Sequence, residues 1–161
     1  MQNGILPDNM KTSRTIPVFK KSGSPLEMNN YRPIAIINAF SKIFEKIISK
    51  RLVTFWTQNK PCCNITTSAL NEGKYSILIL LHVQKAFDSV KHSILLYKLE
   101  NAGIRGVVLD WFKSYLSNRK QKVQVGSKIS ENTSNLNIGV IQGSILGVIL
   151  FLISIKDISI L

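Results

Sequence analysis

The feature that most limits how this chain can fold is a nearly unbroken apolar run, Tyr75-Ser76-Ile77-Leu78-Ile79-Leu80-Leu81. It is too short for a typical helix and lacks polar–apolar alternation, so it predicts a strand buried on both faces and central in its sheet. The run ends in a polar residue, His82, followed by Lys85-Ala86-Phe87-Asp88. A strand end that delivers a polar side chain is a common place for chemistry, although a lone histidine there is more often structural.

Helices flank this strand. Phe40, Ile43, Phe44, Ile47, Ile48, Leu52, Phe55 and Trp56 recur at helical spacing, with Lys42, Lys46, Ser49 and Lys50 on the other face. Asn38 or Ser41 is the candidate cap, and Asn59-Lys60-Pro61 the stop. Ser93 to Asn101 predicts a short helix closed by Gly103, and Val108, Trp111, Phe112, Tyr115 and Leu116 a second one whose aromatics belong to the core. Ile16 to Phe19 reads as a short strand entering the turn-rich segment 20–25, after a polar, patternless stretch from Met1 to Ser13. Lys122 to Val125 alternates like a half-buried strand, with Gly126-Ser127 as its turn. No internal repeat, low-complexity tract or linker interrupts the 161 residues.

Hydrophobic residues make up 45% of the chain and charged ones 19%, which excludes a disordered chain. Lys and Arg number 21 against 9 Asp and Glu, a net +12 that suits phosphate backbones or anionic membrane surfaces. The adjacent Cys62 and Cys63 form neither a disulfide framework nor a metal spacing, so a reducing, intracellular setting in nucleus or cytoplasm is expected, not secretion. The sequons at Asn64 and Asn132 are chance matches in that setting. From Asn132 to Ile155 there is no charge, a length that would span a bilayer and suggests a membrane anchor. Its asparagines and glycines argue instead for a loop leading into a buried helix, since only Ile145 to Ile155 is truly apolar.

Four blocks, in order, then point to one family. Leu81-His82-Val83-Gln84-Lys85-Ala86-Phe87-Asp88-Ser89-Val90 resembles motif A of non-LTR retrotransposon reverse transcriptases, Leu-Asp-Leu-Ser-Lys-Ala-Phe-Asp-x-Val. Asn30-Tyr31-Arg32-Pro33-Ile34 and Phe40-Ser41-Lys42-Ile43-Phe44-Glu45-Lys46 are similar to its fingers block. Gly103-Ile104-Arg105-Gly106 with Trp111-Phe112-Lys113-Ser114-Tyr115-Leu116 matches the next segment, and Gly139 to Gly147 matches motif B. The resemblance is nearest to jockey-like elements. It implies an α+β fold, a partial right-hand polymerase with a small antiparallel sheet. Residues 1–74 would be a fingers-like remnant and 75–161 a palm with motifs A and B, lacking motif C and the thumb.

The family's chemistry is RNA-templated DNA synthesis on a DNA primer, by two Mg²⁺ ions held on carboxylates of motifs A and C. The position matching the metal-binding Asp of motif A is His82, and a neutral imidazole does not replace a carboxylate on Mg²⁺. Motif C would lie beyond Leu161. An inactive copy with no metal of its own is therefore expected, not rescued by Asp at 82 alone; the alternative is a non-enzymatic, basic nucleic-acid binder. Between Cys63 and Asn71 the family's Gln-x-Gly-Phe-Arg-x-Gly segment is missing, and Ile141 stands for a usual proline. The resemblance also implies roles for individual residues. Phe87 matches the aromatic that excludes a 2′-hydroxyl, with a core phenylalanine as the rival reading. Gln142 and Gly143 match the loop that meets the templating base pair, with a simple turn as the rival. Arg32, Lys42, Lys46, Lys50, Arg119, Lys120 and Lys122 are candidate phosphate contacts, against solvated basic faces. An incomplete sheet would leave an open edge, so the chain should run as aggregate on a sizing column and not as a monodisperse monomer.

Overall fold

Ser13 and Thr15 occupy inward positions of a strand where apolar residues would ordinarily stand. Their hydroxyls are satisfied locally, Ser13 Oγ donating to the Lys120 carbonyl at 3.4 Å and Thr15 Oγ1 to Gln121 Oε1 at 3.3 Å. The computed structural model describes residues 4–59, 71–73, 75 and 83–156. Apart from Tyr75, the strand expected over 75–81 and His82 at its end lie outside the described residues. The strand carrying Ser13, β1 (Thr12–Phe19), begins earlier than the apolar pattern implies, because its first inward side chains are polar. Even the stretch before it is anchored, with Leu6 buried and its N–H donating to Ser114 Oγ at 3.0 Å.

β1 forms an antiparallel hairpin with β2 (Tyr31–Ile36), in register from Arg14 opposite Ile36 to Phe19 opposite Tyr31. Pro33, a residue disfavoured in strands, hides β2 from the sequence; it is tolerated because β2 is an edge strand. On its other side β1 pairs with β3 (Arg119–Val125) in parallel, Thr12 to Thr15 against Lys120 to Val123. Pro17 lies past the end of that ladder, so its missing N–H breaks no bond to β3. β3 also pairs antiparallel with β4 (Lys128–Ile129) and β5 (Ser134–Leu136). The small sheet is thus mixed, not antiparallel as expected. The parallel pair joins the expected fingers to the expected palm.

Among the described residues, α1 (Ala39–Asn59), α2 (His92–Asn101), α3 (Val107–Leu116) and α4 (Ile145–Ser154) complete the α+β architecture. Leu95 and Leu99 of α2, Phe112 of α3, and Leu146 and Leu150 of α4 have no exposed surface and form the centre of the core. Trp111 stacks on Tyr115 with ring centroids 5.0 Å apart. Asn38 caps α1, its Oδ1 accepting from Phe40 N at 2.9 Å, and Ser144 caps α4, accepting from Gly147 N at 2.8 Å. Among the described residues no helix is long and apolar enough to cross a membrane.

α1 keeps Ile48, Leu52, Phe55 and Trp56 of its expected face against the core, but its first turns depart from that orientation. Ser41, Glu45, Ser49 and Leu52 face inward, whereas Phe40, Ile43 and Ile47 are 63%, 56% and 49% exposed. The cause is Glu45, which is only 1% exposed. Its Oε1 accepts from the Tyr115 hydroxyl at 2.6 Å, and its Oε2 from the Ile145 N–H at 2.9 Å. The carboxylate therefore ties α1 to α3 and sits on the positive first turn of α4. Ser41 Oγ donates to the Met10 carbonyl at 3.1 Å, fastening the N-terminal stretch to the same face.

Burial, and then the Glu45 charge, push the Tyr115 hydroxyl well above its ordinary value near 10, against the pull of Arg119. The folded state keeps a proton that the unfolded chain releases, so stability falls as pH rises above 10. Tyr115→Phe should flatten that alkaline slope and lower the unfolding free energy at neutral pH by about 1–3 kcal/mol, because a buried carboxylate oxygen loses its donor. Glu45→Ala, which leaves two donors unpaired, should lose at least as much; urea titrations at pH 7 and 10.5 check both.

Candidate nucleic-acid interface

The motif A turn and the motif B loop are stitched together by backbone. Lys85 takes a left-handed φ of 51°, and its carbonyl accepts from Asp88 N at 2.9 Å, closing the turn. From this turn Phe87 O accepts from Val140 N at 2.7 Å and Val90 O from Gly139 N at 2.8 Å. His92 Nε2 lies 2.7 Å from the Gly139 carbonyl and donates to it in the matching tautomer. Gly139 is required twice over: its φ is +90°, and a Cβ would lie 2.9 Å from Phe87 O. Phe87 is half-buried and packs on Phe151 of α4, ring centroids 5.5 Å apart.

The loop also leans on the hairpin. Gln142 offers its carbonyl to Ala35 N at 2.8 Å, and at Gly143, with φ +104°, a Cβ would meet Ala35 O at 2.8 Å. The glycine thus admits the backbone of β2.

The basic residues separate into three places. In the sheet, register puts Arg14 opposite Lys122 and Ile36, Thr12 opposite Lys120, and Arg32 opposite Val18. Residues in register share a face, and alternation adds i and i+2, so Arg14, Arg32, Lys120 and Lys122 lie on one outward face. Arg14, Arg32 and Lys120 are exposed and Lys122 is half-buried. Lys42, Lys46 and Lys50 are exposed on α1, whose one acidic residue, Glu45, is buried. The outer surface of that helix therefore carries no negative charge.

Arg119 is not a surface residue, contrary to expectation. It is 3% exposed, on the inward side of β3, where alternation turns it away from Lys120. Its Nη1 donates to the Tyr115 carbonyl at 2.9 Å and its guanidinium lies 4.4 Å over the Tyr115 ring. Nε and Nη2 have no hydrogen-bond partner among the described residues. Burial lowers its pKa, while Tyr115 and Glu45 act to raise it.

No carboxylate cluster accompanies these cations among the described residues. Asp88, exposed in the motif A turn, is the acidic residue nearest in sequence to His82, and among the described residues no group of three His, Cys, Asp or Glu side chains could hold a metal. An imidazole at 82 with Asp88 is a poor donor set for Mg²⁺, which takes hard oxygen ligands. The described residues therefore do not fit the family's metal pair.

Arg14 and Glu45 escaped sequence reasoning as site or scaffold residues, whereas Tyr115, expected in the core, is buried there. Glu45 did leave a signal, being the lone acid in a helix otherwise charged only by lysines and an arginine. Arg14 left none, since its neighbours come from strands far away in sequence.

The sequence pattern of the family described as reverse transcriptase (RNA-dependent DNA polymerase) matches residues 18–160. The chain is 28% identical to the RNA-directed DNA polymerase from mobile element jockey of Drosophila melanogaster, over 96% of its own length and 19% of the relative's. It is 28% identical to the probable RNA-directed DNA polymerase from transposon X-element of the same species, over 88% of this chain and 18% of that one. It is also 28% identical to a retrovirus-related Pol polyprotein from type-1 retrotransposable element R2 of Bradysia coprophila, over 87% and 18%. The chain thus spans about a fifth of the length of the curated relatives it matches.

Gly139→Ala should lower the unfolding free energy by about 2 kcal/mol or more, strain plus a backbone clash. Gly126→Ala, with φ +61° and open space around it, should lose only about 1 kcal/mol. Equal losses in urea unfolding would show that the clasp between the two motifs contributes nothing.

Proposed function

Because the chain belongs to the reverse transcriptase (RNA-dependent DNA polymerase) family, we propose that it binds nucleic acid through the outer face of its sheet and does not itself polymerise DNA. The observation that carries the binding reading is the register that gathers Arg14, Arg32, Lys120 and Lys122 on one face, with no acidic residue in β1, β2 or β3. Such a face suits phosphates rather than any one base, since phosphate contacts position a nucleic acid without reading it. Lys42, Lys46 and Lys50 extend the positive potential along α1. The partners in this reading are an RNA template and a DNA primer, within the nucleus or cytoplasm. Residues 1–74 act as fingers and 75–161 as a palm with motifs A and B, a division of role across one continuous sheet.

The inactivity reading rests on His82. Two-metal nucleotidyl transfer needs hard, anionic ligands that bridge both cations, and a neutral imidazole at the motif A position offers neither charge nor a second donor atom. Phe87 keeps the sugar-gate position by sequence, and its packing on Phe151 supports the rival role of a core residue. Gln142 and Gly143 support the hairpin, so their contact with a base pair stays a proposal of the family likeness.

The chain should show no primer extension on an RNA template with Mg²⁺ or Mn²⁺; a ladder of extended products would sink the inactivity reading. It should bind an RNA–DNA duplex with an affinity that falls steeply between low and physiological salt. The double substitution K120A/K122A should weaken binding and reduce the slope of log K against log salt by about 2, roughly one for each phosphate no longer neutralised. An unchanged slope would overturn the sheet-face assignment.

A further inference from the structure

Where the basic face meets the start of α1, the chain forms a cavity of about 200 Å³ lined by Asn9, Thr12, Arg14, Ile36, Ile37 and Asn38. We propose that this cavity is a binding site for a single phosphate group, with Arg14 as its anchoring cation. Four of its lining side chains can donate hydrogen bonds: the guanidinium of Arg14, the amides of Asn9 and Asn38, and the hydroxyl of Thr12. Asn38 has already committed its oxygen to Phe40 N, which leaves its amide nitrogen as a donor. Arg14 has no carboxylate partner among the described residues. The acid next in sequence to the cavity wall, Asp8, is engaged by Lys11 Nζ at 3.0 Å, so it does not neutralise the site. Lys122, in register with Arg14 across the β1–β3 ladder, adds a second positive charge beside the cavity.

The walls are held in place. Asp8–Met10 forms a one-turn 3-10 helix, the Ser41 hydroxyl ties Met10 to α1, and Arg14 stands in register with Ile36 between two neighbouring strands. A planar, five-donor guanidinium carried on a strand backbone matches a tetrahedral oxyanion better than a lysine does. The first turn of α1 adds a favourable dipole, though the cationic and amide lining carries the assignment. The phosphate can come from inorganic phosphate, from a terminal phosphomonoester, or from a nucleic-acid backbone. Only the last two sources rest on the sheet-face reading above.

The full chain is titrated with inorganic phosphate at constant ionic strength, against chloride as control, while the amide resonances of Asn9, Thr12 and Asn38 are followed. Saturable shifts are expected in these three, weakened about tenfold in Arg14→Met and partly restored in Arg14→Lys. Arg14 and Asn9 are exposed, so Arg14→Met and Asn9→Ala should leave the fold intact, and unchanged dispersion of the remaining spectrum checks this. A second arm compares a single-stranded oligonucleotide carrying a 5′-phosphate with its 5′-hydroxyl form. A terminal-phosphate source gives a preference that Arg14→Met removes; a backbone source gives equal binding that Arg14→Met weakens in both. Phosphate binding at the cavity without any nucleic-acid binding would overturn the sheet-face reading and leave the cavity standing. Absent shifts, or shifts and binding that are the same in folded Arg14→Met, would overturn the cavity itself.

Discussion

A single buried carboxylate holds this fold together. Glu45 sits between α1, α3 and α4, receives the Tyr115 hydroxyl and the Ile145 N–H, and lies within the field of Arg119. A charge at 1% exposure is tolerable only when hydrogen bonds and an opposite charge replace the water it has lost. Each of these partners belongs to a different part of the chain, so the carboxylate specifies how the parts meet. It also turns α1: with Glu45 inward, Ser41 and Ser49 follow it, and Phe40, Ile43 and Ile47 are rotated toward solvent. The same rotation leaves Lys42, Lys46 and Lys50 outward without an acidic neighbour.

What could be read from sequence follows the strength of the local pattern. α2, α3 and α4 lie where apolar spacing or a capping serine places them, within a residue of the expected bounds, because their burial depends on one continuous face. The turn at Gly126-Ser127 is equally local, joining β3 to β4. β2 is hidden because Pro33 interrupts its strand pattern, and the start of β1 because hydroxyls replace its inward apolar positions. The facing of α1 could be read only in part: Ile48, Leu52, Phe55 and Trp56 pack on the core as their spacing implies, while in the first turns hydrogen bonding decides against Phe40, Ile43 and Ile47. Arg119 shows the same limit from the other side. In sequence it is one of a basic pair, but a one-residue step along β3 puts it in the core and Lys120 in water.

In the proposed function, binding and chemistry separate. The cationic face and the clasp between the two motifs are built from backbone pairing, register and glycines. A carboxylate pair for metals has no such support in the framework. Loss of a metal ligand relieves electrostatic repulsion and leaves the scaffold unharmed, whereas loss of Glu45 would strand two buried donors. Scaffold residues and chemical residues are thus under different physical constraints.

The parallel pairing of β1 with β3 carries a kinetic consequence. Thr12 and Lys120 are more than a hundred residues apart, and closing a loop of that length must precede the contacts that reward it. During synthesis the β1–β2 hairpin emerges long before its partner strand exists, with one edge unpaired. Arg14 acquires Lys122 as a neighbour only when that closure is complete. The cationic surface is therefore a late product of folding, and a nascent or partly unfolded chain displays its charges without their arrangement.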